Sequence, residues 1–174
     1  VADMQGVKIW APKGDRLVLA MLSEYGLVPV FLGFEAVLPQ LKTGGIDAFY
    51  APPYGAIGLQ WFREAKYLTN ARLANAAGAT LLAKSAYDKL TDAQKTIVHT
   101  TLEKYARELT LELRRENEKA MQVLLGKGIE KVEPNAEELA QLKRTALLVQ
   151  DKLAGELYSK ELLQKARKAR DSVK

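Results

Sequence analysis

The chain has 174 residues, of which 48% are hydrophobic and 27% are charged, and its net charge is +5. This balance is typical of a globular protein, and the length suits one ordinary domain or two small lobes. Cysteine is absent, which excludes disulfides, thiolate metal sites and cysteine nucleophiles. His99 is the single histidine, so metal sites built from several histidines are excluded and the composition favours binding over catalysis.

The positive charge is spread along the chain. Residues 1–90 contain 9 basic and 7 acidic residues, which leaves 17 basic and 14 acidic residues of the total for 91–174. Nucleic-acid-binding proteins concentrate basic residues on one face, so we expect no nucleic-acid partner. The first residues do not read as a signal peptide, and a start at Val1 without methionine suggests a piece of a longer protein.

The first seventy residues alternate short strands with helices. The pattern predicts strands at 7–10, 28–31, 46–50 and 66–69. It predicts helices over 15–26, 33–44 and 54–64. This βαβ alternation is typical of an α/β fold with a parallel sheet and crossover helices.

The second half is mostly helical by its periodicity. The small and apolar run at 80–83 predicts a buried strand that crosses between two lobes. Thr91 and Gln94 form a capping box, which predicts a long helix up to about Leu125. A helix of that length acts either as a coiled-coil arm or as a spine between two lobes. Its expected buried stripe comprises Ile97, Leu102, Tyr105, Leu109 and Leu113. A short strand at 129–132 follows, and two further helices begin after Asn135 and Ser159.

Four aromatic residues fall at one predicted edge of the sheet, namely Trp10, Phe34, Phe49 and Tyr50. Ligands of open parallel sheets bind outside the carboxyl ends of the strands, so these side chains line an apolar pocket in one interpretation. Ordinary core packing is the other interpretation. The sequence shows no phosphate-binding glycine loop, no nucleophile–base pair and no metal-ligand set, and we therefore expect neither an enzyme nor a cofactor.

Six short segments follow one another in an order that matches a known family. They are QGVKIW (5–10), GLVPV (26–30), FEAV (34–37), LKTGGIDA (41–48), FREAKYLT (62–69) and KSAYDKL (84–90). Together they resemble the C-terminal half of a DctP-type solute-binding protein of tripartite ATP-independent periplasmic (TRAP) transporters. The resemblance implies a periplasmic protein of two α/β lobes around a cleft, which captures a small molecule and delivers it to membrane subunits of the transporter.

The resemblance also implies that this chain is an incomplete two-lobed fold. Residues 1–72 are then an α/β ligand-binding lobe, and residues 73–126 are the crossing strand and the long spine helix. Residues 127–174 are a strand and C-terminal helices that pack back on the lobes. Such a half exposes apolar surface, which we expect to pair with a missing N-terminal half or with a second copy of the chain.

Two positions depart from the family pattern. Trp10 and Ala51 stand where typical members have a ligand-binding arginine and an asparagine. A buried carboxylate without a guanidinium partner costs on the order of several kcal/mol, so the resemblance with this departure implies an apolar or aromatic-contacting ligand. The expected ligand-binding set is Trp10, Arg16, Phe34, Phe49, Tyr50 and Ala51.

Two alternatives stay open. In the first, the protein binds an organic acid and Arg16 replaces the lost arginine. In the second, the cleft is degenerate and the protein docks on a partner such as a helical-repeat lipoprotein.

Overall fold

The computed structural model describes residues 2–71 and 77–172. Its strands are β1 (Lys8–Ala11), β2 (Val28–Phe31), β3 (Tyr67–Thr69) and β4 (Glu130–Val132). Its α-helices are α1 (Arg16–Glu24), α2 (Phe34–Thr43), α3 (Pro53–Gly58), α4 (Lys84–Tyr87), α5 (Asp92–Gly126), α6 (Ala136–Leu153) and α7 (Lys160–Asp171). Short 3-10 helices cover Ala2–Met4 and Trp61–Glu64. Within the two described ranges, none of the helices is both long and apolar enough to cross a membrane.

Strand β1 is the centre of a small parallel sheet. It pairs with β2 from Lys8 opposite Val28 to Ala11 opposite Phe31, as the βαβ alternation predicts. On its other side the chain makes one parallel bridge, between Ile9 and Ala48, so the full strand predicted at 46–50 is wrong. The reason is local: the chain leaves the sheet after Ala48 because α3 begins at Pro53.

The side chains of β1 alternate between two cores. Ile9 and Ala11 face a cluster that α1 and α6 complete, and this cluster contains Met21, Leu22, Tyr25, Leu27, Val149 and Leu153. Trp10 faces the opposite cluster, which contains Val37, Ile46 and Trp61. One four-residue strand therefore joins the helical packing on one side to a tryptophan-rich core on the other.

The predicted caps and short strands near the long helix are confirmed. Thr91 and Gln94 form the capping box of α5, and Asn135 with Glu138 forms that of α6. The strands predicted at 66–69 and 129–132 are β3 and β4, which pair in parallel. The C-terminal part of α5 packs against α3, where Tyr54 N–H donates to Asn117 Oδ1 at 3.0 Å.

The crossing strand predicted at 80–83 is wrong for this chain. Residues 77–83 form no strand, and Leu81 is 88% exposed. A strand needs a neighbour for its backbone hydrogen bonds, and none of the described strands lies beside this segment. The preceding residues 74–76, part of the same small-residue run, lie outside the described ranges.

The predicted buried stripe of the long helix is also wrong. All five of its residues are exposed: Ile97, Leu102, Tyr105, Leu109 and Leu113. In α5 the buried residues are Ala120 and Leu124, in the part where α3 packs. The amphipathic pattern predicts which side of α5 favours burial. In the described part of the chain, another element covers that side only near the C-terminal end of the helix.

Candidate functional site

Trp10 anchors the predicted ligand wall. It lies near the carboxyl end of β1 with only 5% of its surface exposed. Its indole Nε1–H donates to the backbone oxygen of Leu32, at the end of β2, at 3.0 Å. The indole is therefore held in one orientation and its single donor is satisfied inside the protein.

The predicted aromatic residues come together around Trp10. Its ring centroid lies 5.4 Å from that of Phe34, 5.4 Å from that of Tyr50 and 5.0 Å from that of Trp61. Phe49 meets the edge of Trp61 with a centroid distance of 5.4 Å. These separations suit favourable aromatic pairs. We call these five residues (Trp10, Phe34, Phe49, Tyr50 and Trp61) the aromatic cluster.

Trp61 is the member that sequence reasoning missed. The single helix predicted over 54–64 is wrong, because α3 ends at Gly58 and Gln60 adopts a left-handed conformation with φ of 59°. The 3-10 helix that follows turns Trp61 inward, where it is 1% exposed. The chain has only two tryptophans, Trp10 and Trp61, and they pack against each other. The low number of tryptophans was the one signal in the sequence that could have drawn attention to Trp61.

The aromatic cluster has a buried floor and an open outer surface. Trp10 and Trp61 form the floor, whereas Phe34, the first residue of α2, is 58% exposed. Ala51 packs beside the cluster and is partly buried. An exposed ring on a rigid aromatic floor offers a flat apolar surface against which another molecule can lie.

Tyr50 adds one hydroxyl group to the aromatic cluster. Burial, together with the nearby Asp15 carboxylate, raises the pKa of the Tyr50 hydroxyl to about 12. Asp15 is held in place as the N-cap of α1, where its carboxylate accepts from Val18 N–H at 3.0 Å. The hydroxyl therefore keeps its proton at neutral pH and is available as a hydrogen-bond donor.

Arg16 lies elsewhere in the same lobe. Its guanidinium pairs with the carboxylate of Glu156, and both side chains are about half exposed. Among the described residues, no hydrogen bond or ring contact joins Arg16 to the aromatic cluster. The structure thus brings together five of the six predicted site residues and leaves Arg16 apart.

The described residues also offer no cluster of acidic or imidazole groups for a metal. Within 2–71 and 77–172, no three residues of the types His, Cys, Asp and Glu lie close enough to hold an ion. The chemistry of the site consists of aromatic surface, one tyrosine hydroxyl and backbone carbonyls.

Comparisons with known proteins bear on the fold and the family. Residues 1–156 match the family model of bacterial extracellular solute-binding proteins, family 7, named DctP. No curated protein matches.

Solved structures match the fold closely at low sequence identity. A TRAP periplasmic solute-binding protein from Desulfovibrio salexigens, with bound orotic acid, has a TM-score of 0.81 at 17% identity over 96% of this chain. One from a Bradyrhizobium species, with bound galacturonate, has a TM-score of 0.81 at 19% identity over 98%. A marine metagenome TRAP protein specific for aromatic acid ligands, in complex with metahydroxyphenylacetate, has a TM-score of 0.69 at 22% identity over 87%.

The chain spans about half the length of these structures, with 54%, 55% and 48% of their residues covered. The matches confirm the predicted α/β lobe of an incomplete two-lobed fold. They are solute-binding proteins and not enzymes, and their periplasmic location agrees with the location that the resemblance implies. Because the family model covers 156 of the 174 residues, the chain belongs to the DctP family of bacterial extracellular solute-binding proteins.

Proposed function

We propose that this chain is the ligand-binding lobe of a periplasmic solute-binding protein that serves a TRAP-type secondary transporter. Its ligand packs an apolar or aromatic face against the aromatic cluster. The observation that carries the proposal is the exposed ring of Phe34, which stands over a floor made by Trp10 and Trp61. The floor is buried and hydrogen-bonded, so the ligand meets a surface that needs little reorganisation.

The charges around the cluster support an aromatic contact over carboxylate recognition. Arg16, the cationic residue of the predicted site, pairs with Glu156, and among the described residues it makes no hydrogen bond or ring contact with the aromatic cluster. A carboxylate at the cluster would therefore lack the bidentate partner that such groups favour. Two of the matched structures hold ring-bearing acids, orotic acid and metahydroxyphenylacetate, so lobes of this fold accept flat rings. In this proposal the ring of such a ligand lies on the aromatic cluster, and its carboxylate faces the second lobe.

Each part of the chain then has its own role in the protein. Residues 1–72 form the ligand-binding lobe, 73–126 form the crossing segment and the spine, and 127–174 pack back on the lobes. The facing wall of the cleft comes from a second lobe, supplied by a preceding segment or by another copy. Closure of the two walls around the ligand then precedes delivery to the membrane subunits.

A binding experiment on Phe34 tests this function. We expect 3-hydroxyphenylacetate to bind with quenching of tryptophan fluorescence, and succinate and galacturonate to bind much more weakly. Phe34→Ala should weaken binding by about 10-fold, since removing an aromatic contact costs about 1.5 kcal/mol. Phe31→Ala is the matched control, because Phe31 is exposed nearby at the end of β2 but lies outside the aromatic cluster.

Two other outcomes would contradict the proposal. Tight succinate binding that Arg16→Ala abolishes and Phe34→Ala leaves intact would establish the organic-acid alternative. If calorimetry detects binding of none of the three compounds, the aromatic proposal is contradicted. That result would favour the alternative in which the cleft is degenerate and the protein binds a protein partner in place of a solute.

A further inference from the structure

The short segment that carries Phe49 and Tyr50 has no regular structure of its own and depends on what holds its two ends. At the first end, Ala48 makes the bridge to β1, and Trp10 N–H donates to the Ala48 backbone oxygen at 2.9 Å. At the other end, α3 begins at Pro53. The placement of the two rings in the aromatic cluster therefore depends on how firmly the start of α3 is fixed.

The start of α3 lacks a cap of the usual kind. The first N–H groups of a helix have no partner within it, and a Ser, Thr, Asp or Asn side chain just before the helix commonly accepts from one of them. In α3 that position is Pro52, which makes no side-chain cap, and Pro53 has no N–H to donate. Tyr54 N–H is therefore the first donor of α3 that needs an acceptor.

Asn117 of the long helix supplies this acceptor. Its Oδ1 accepts from Tyr54 N–H at 3.0 Å, across 63 residues of sequence. Its Nδ2 donates to the backbone oxygen of Leu113, one turn earlier in α5, at 2.8 Å. The opposite amide orientation would set two donors against each other at Tyr54, so the two bonds together fix the side chain. Ala120 and Leu124 are buried three and seven residues later on the same side, where α5 meets α3.

We propose that Asn117 is a positioning residue for the ligand site. By fixing the start of α3, it holds Phe49 against the edge of Trp61. It also holds Tyr50 beside Trp10, and the ring centroids in both pairs are 5.4 Å apart. The effect on a ligand rests on the proposed function of the aromatic cluster, whereas the anchoring of α3 does not.

An anchoring bond and an ordinary packing contact differ in what their loss disturbs. Ala56 of α3 is buried, as are Ala120 and Leu124 of α5, so apolar contacts between the two helices remain without the Asn117 side chain. Loss of the bond should therefore free only the start of α3 and the segment before it. A ligand would then have to order that segment as it binds, which lowers its affinity.

Hydrogen exchange and near-ultraviolet circular dichroism test the anchoring without a ligand. Asn117→Leu keeps the size of the side chain and removes the acceptor, so exchange over 54–58 should become at least about 5-fold faster while 118–124 stays unchanged. The near-ultraviolet signal should also fall, because both tryptophans of the chain lie in the aromatic cluster. Asn117→Asp keeps an oxygen acceptor and should restore both readouts. Gln122→Leu is the matched control, since Gln122 is an exposed amide on the same helix.

Two results of these measurements overturn the proposal. One is exchange over 54–58 that Asn117→Leu leaves unchanged or that rises equally along α5. The other is failure of Asn117→Asp to restore the two readouts, which would show that the acceptor oxygen is not what matters. Far-ultraviolet circular dichroism checks that each variant is folded.

A binding measurement separates this proposal from the proposed function. If the unmodified chain binds 3-hydroxyphenylacetate, Asn117→Leu should weaken binding about 5-fold, and Asn117→Asp and Gln122→Leu by less than about 2-fold. Equal affinity of Asn117→Leu and the unmodified chain overturns the positioning role. If the unmodified chain does not bind the compound, the proposed function fails, and the exchange and dichroism results still decide whether Asn117 holds the segment.

Discussion

The two ends of α5 show one helix face in two environments. Toward the C-terminus Ala120 and Leu124 are buried, and α3 packs on this part of the helix. Eleven residues earlier on the same side, Leu109 and Leu113 are exposed. The capping box and helix-forming residues support the N-terminal part, where Tyr87 of α4 contacts Lys95 and His99, while α3 packs on the C-terminal part. A segment can therefore form a helix without being buried. The apolar periodicity of a sequence shows which side of a helix favours burial, but it does not show what covers that side.

Truncation of buried and exposed leucines should show the contrast most strongly. Leu124→Ala should lower the free energy of unfolding by about 2–5 kcal/mol, because it leaves a cavity in packed surroundings. Leu111→Ala, in the exposed part of α5, should change it by about 0.5 kcal/mol or less. Urea unfolding followed by circular dichroism measures both. Equal losses would mean that the N-terminal part of α5 is packed as tightly as the C-terminal part.

Removal of the N-cap should affect only the uncovered part of α5. Thr91→Ala removes the hydroxyl that accepts from Gln94 N–H, a change that costs a helix about 1 kcal/mol. Because Asn117 contacts Tyr54 of α3 and Leu124 is buried, we expect faster amide exchange over 92–113 with little change over 117–124. The measurement is hydrogen exchange by mass spectrometry. Uniform acceleration along all of α5 would contradict a division of the helix into two parts.

The smallest expected effect is a change in how the free energy of unfolding depends on pH, and it comes from Tyr50. The folded-state pKa of Tyr50, about 12, lies above the ordinary value of 10.0, so the stability it contributes is complete below pH 10 and is lost as the pH rises toward 12. Tyr50→Phe removes this ionisation, and the variant should lose less stability than the unmodified chain between pH 9 and 11. Urea unfolding at pH 8 serves as the control, where the two proteins should be alike. A larger loss in the variant at pH 11 would contradict the burial of the hydroxyl.

Local signals in the sequence predicted most of the fold. Asp15, Thr91 and Asn135 cap helices because their side chains reach backbone N–H groups two or three residues ahead, an interaction that depends on near neighbours alone. The parallel pairing of β1 with β2 likewise follows from the crossover helix between them.

Long-range contacts were harder to predict. The position of Trp61 depends on the left-handed backbone at Gln60, a conformation that a non-glycine residue adopts rarely and without a sequence signature. Whether the apolar residues Tyr105, Leu109 and Leu113 of α5 are exposed depends on which other surfaces are present, and the periodicity of the sequence does not contain that information. The expected strand-end positions predicted that Trp10 and Tyr50 lie close together, and their rings are 5.4 Å apart. No local pattern showed that Arg16 would pair with Glu156.

The hydrogen bond from Trp10 to the Leu32 carbonyl has a consequence for selectivity. Because the indole N–H of Trp10 already donates to a backbone oxygen, Trp10 needs no hydrogen-bond acceptor from the proposed ligand. Apolar walls discriminate by shape alone, and one methylene changes binding by only about 1–3 kcal/mol, whereas an unpaired polar group in a site rejects the wrong molecule far more strongly. Under the proposed function, the aromatic cluster would accept a group of related ring-bearing compounds, and strict choice among them would fall to the Tyr50 hydroxyl and to the facing wall.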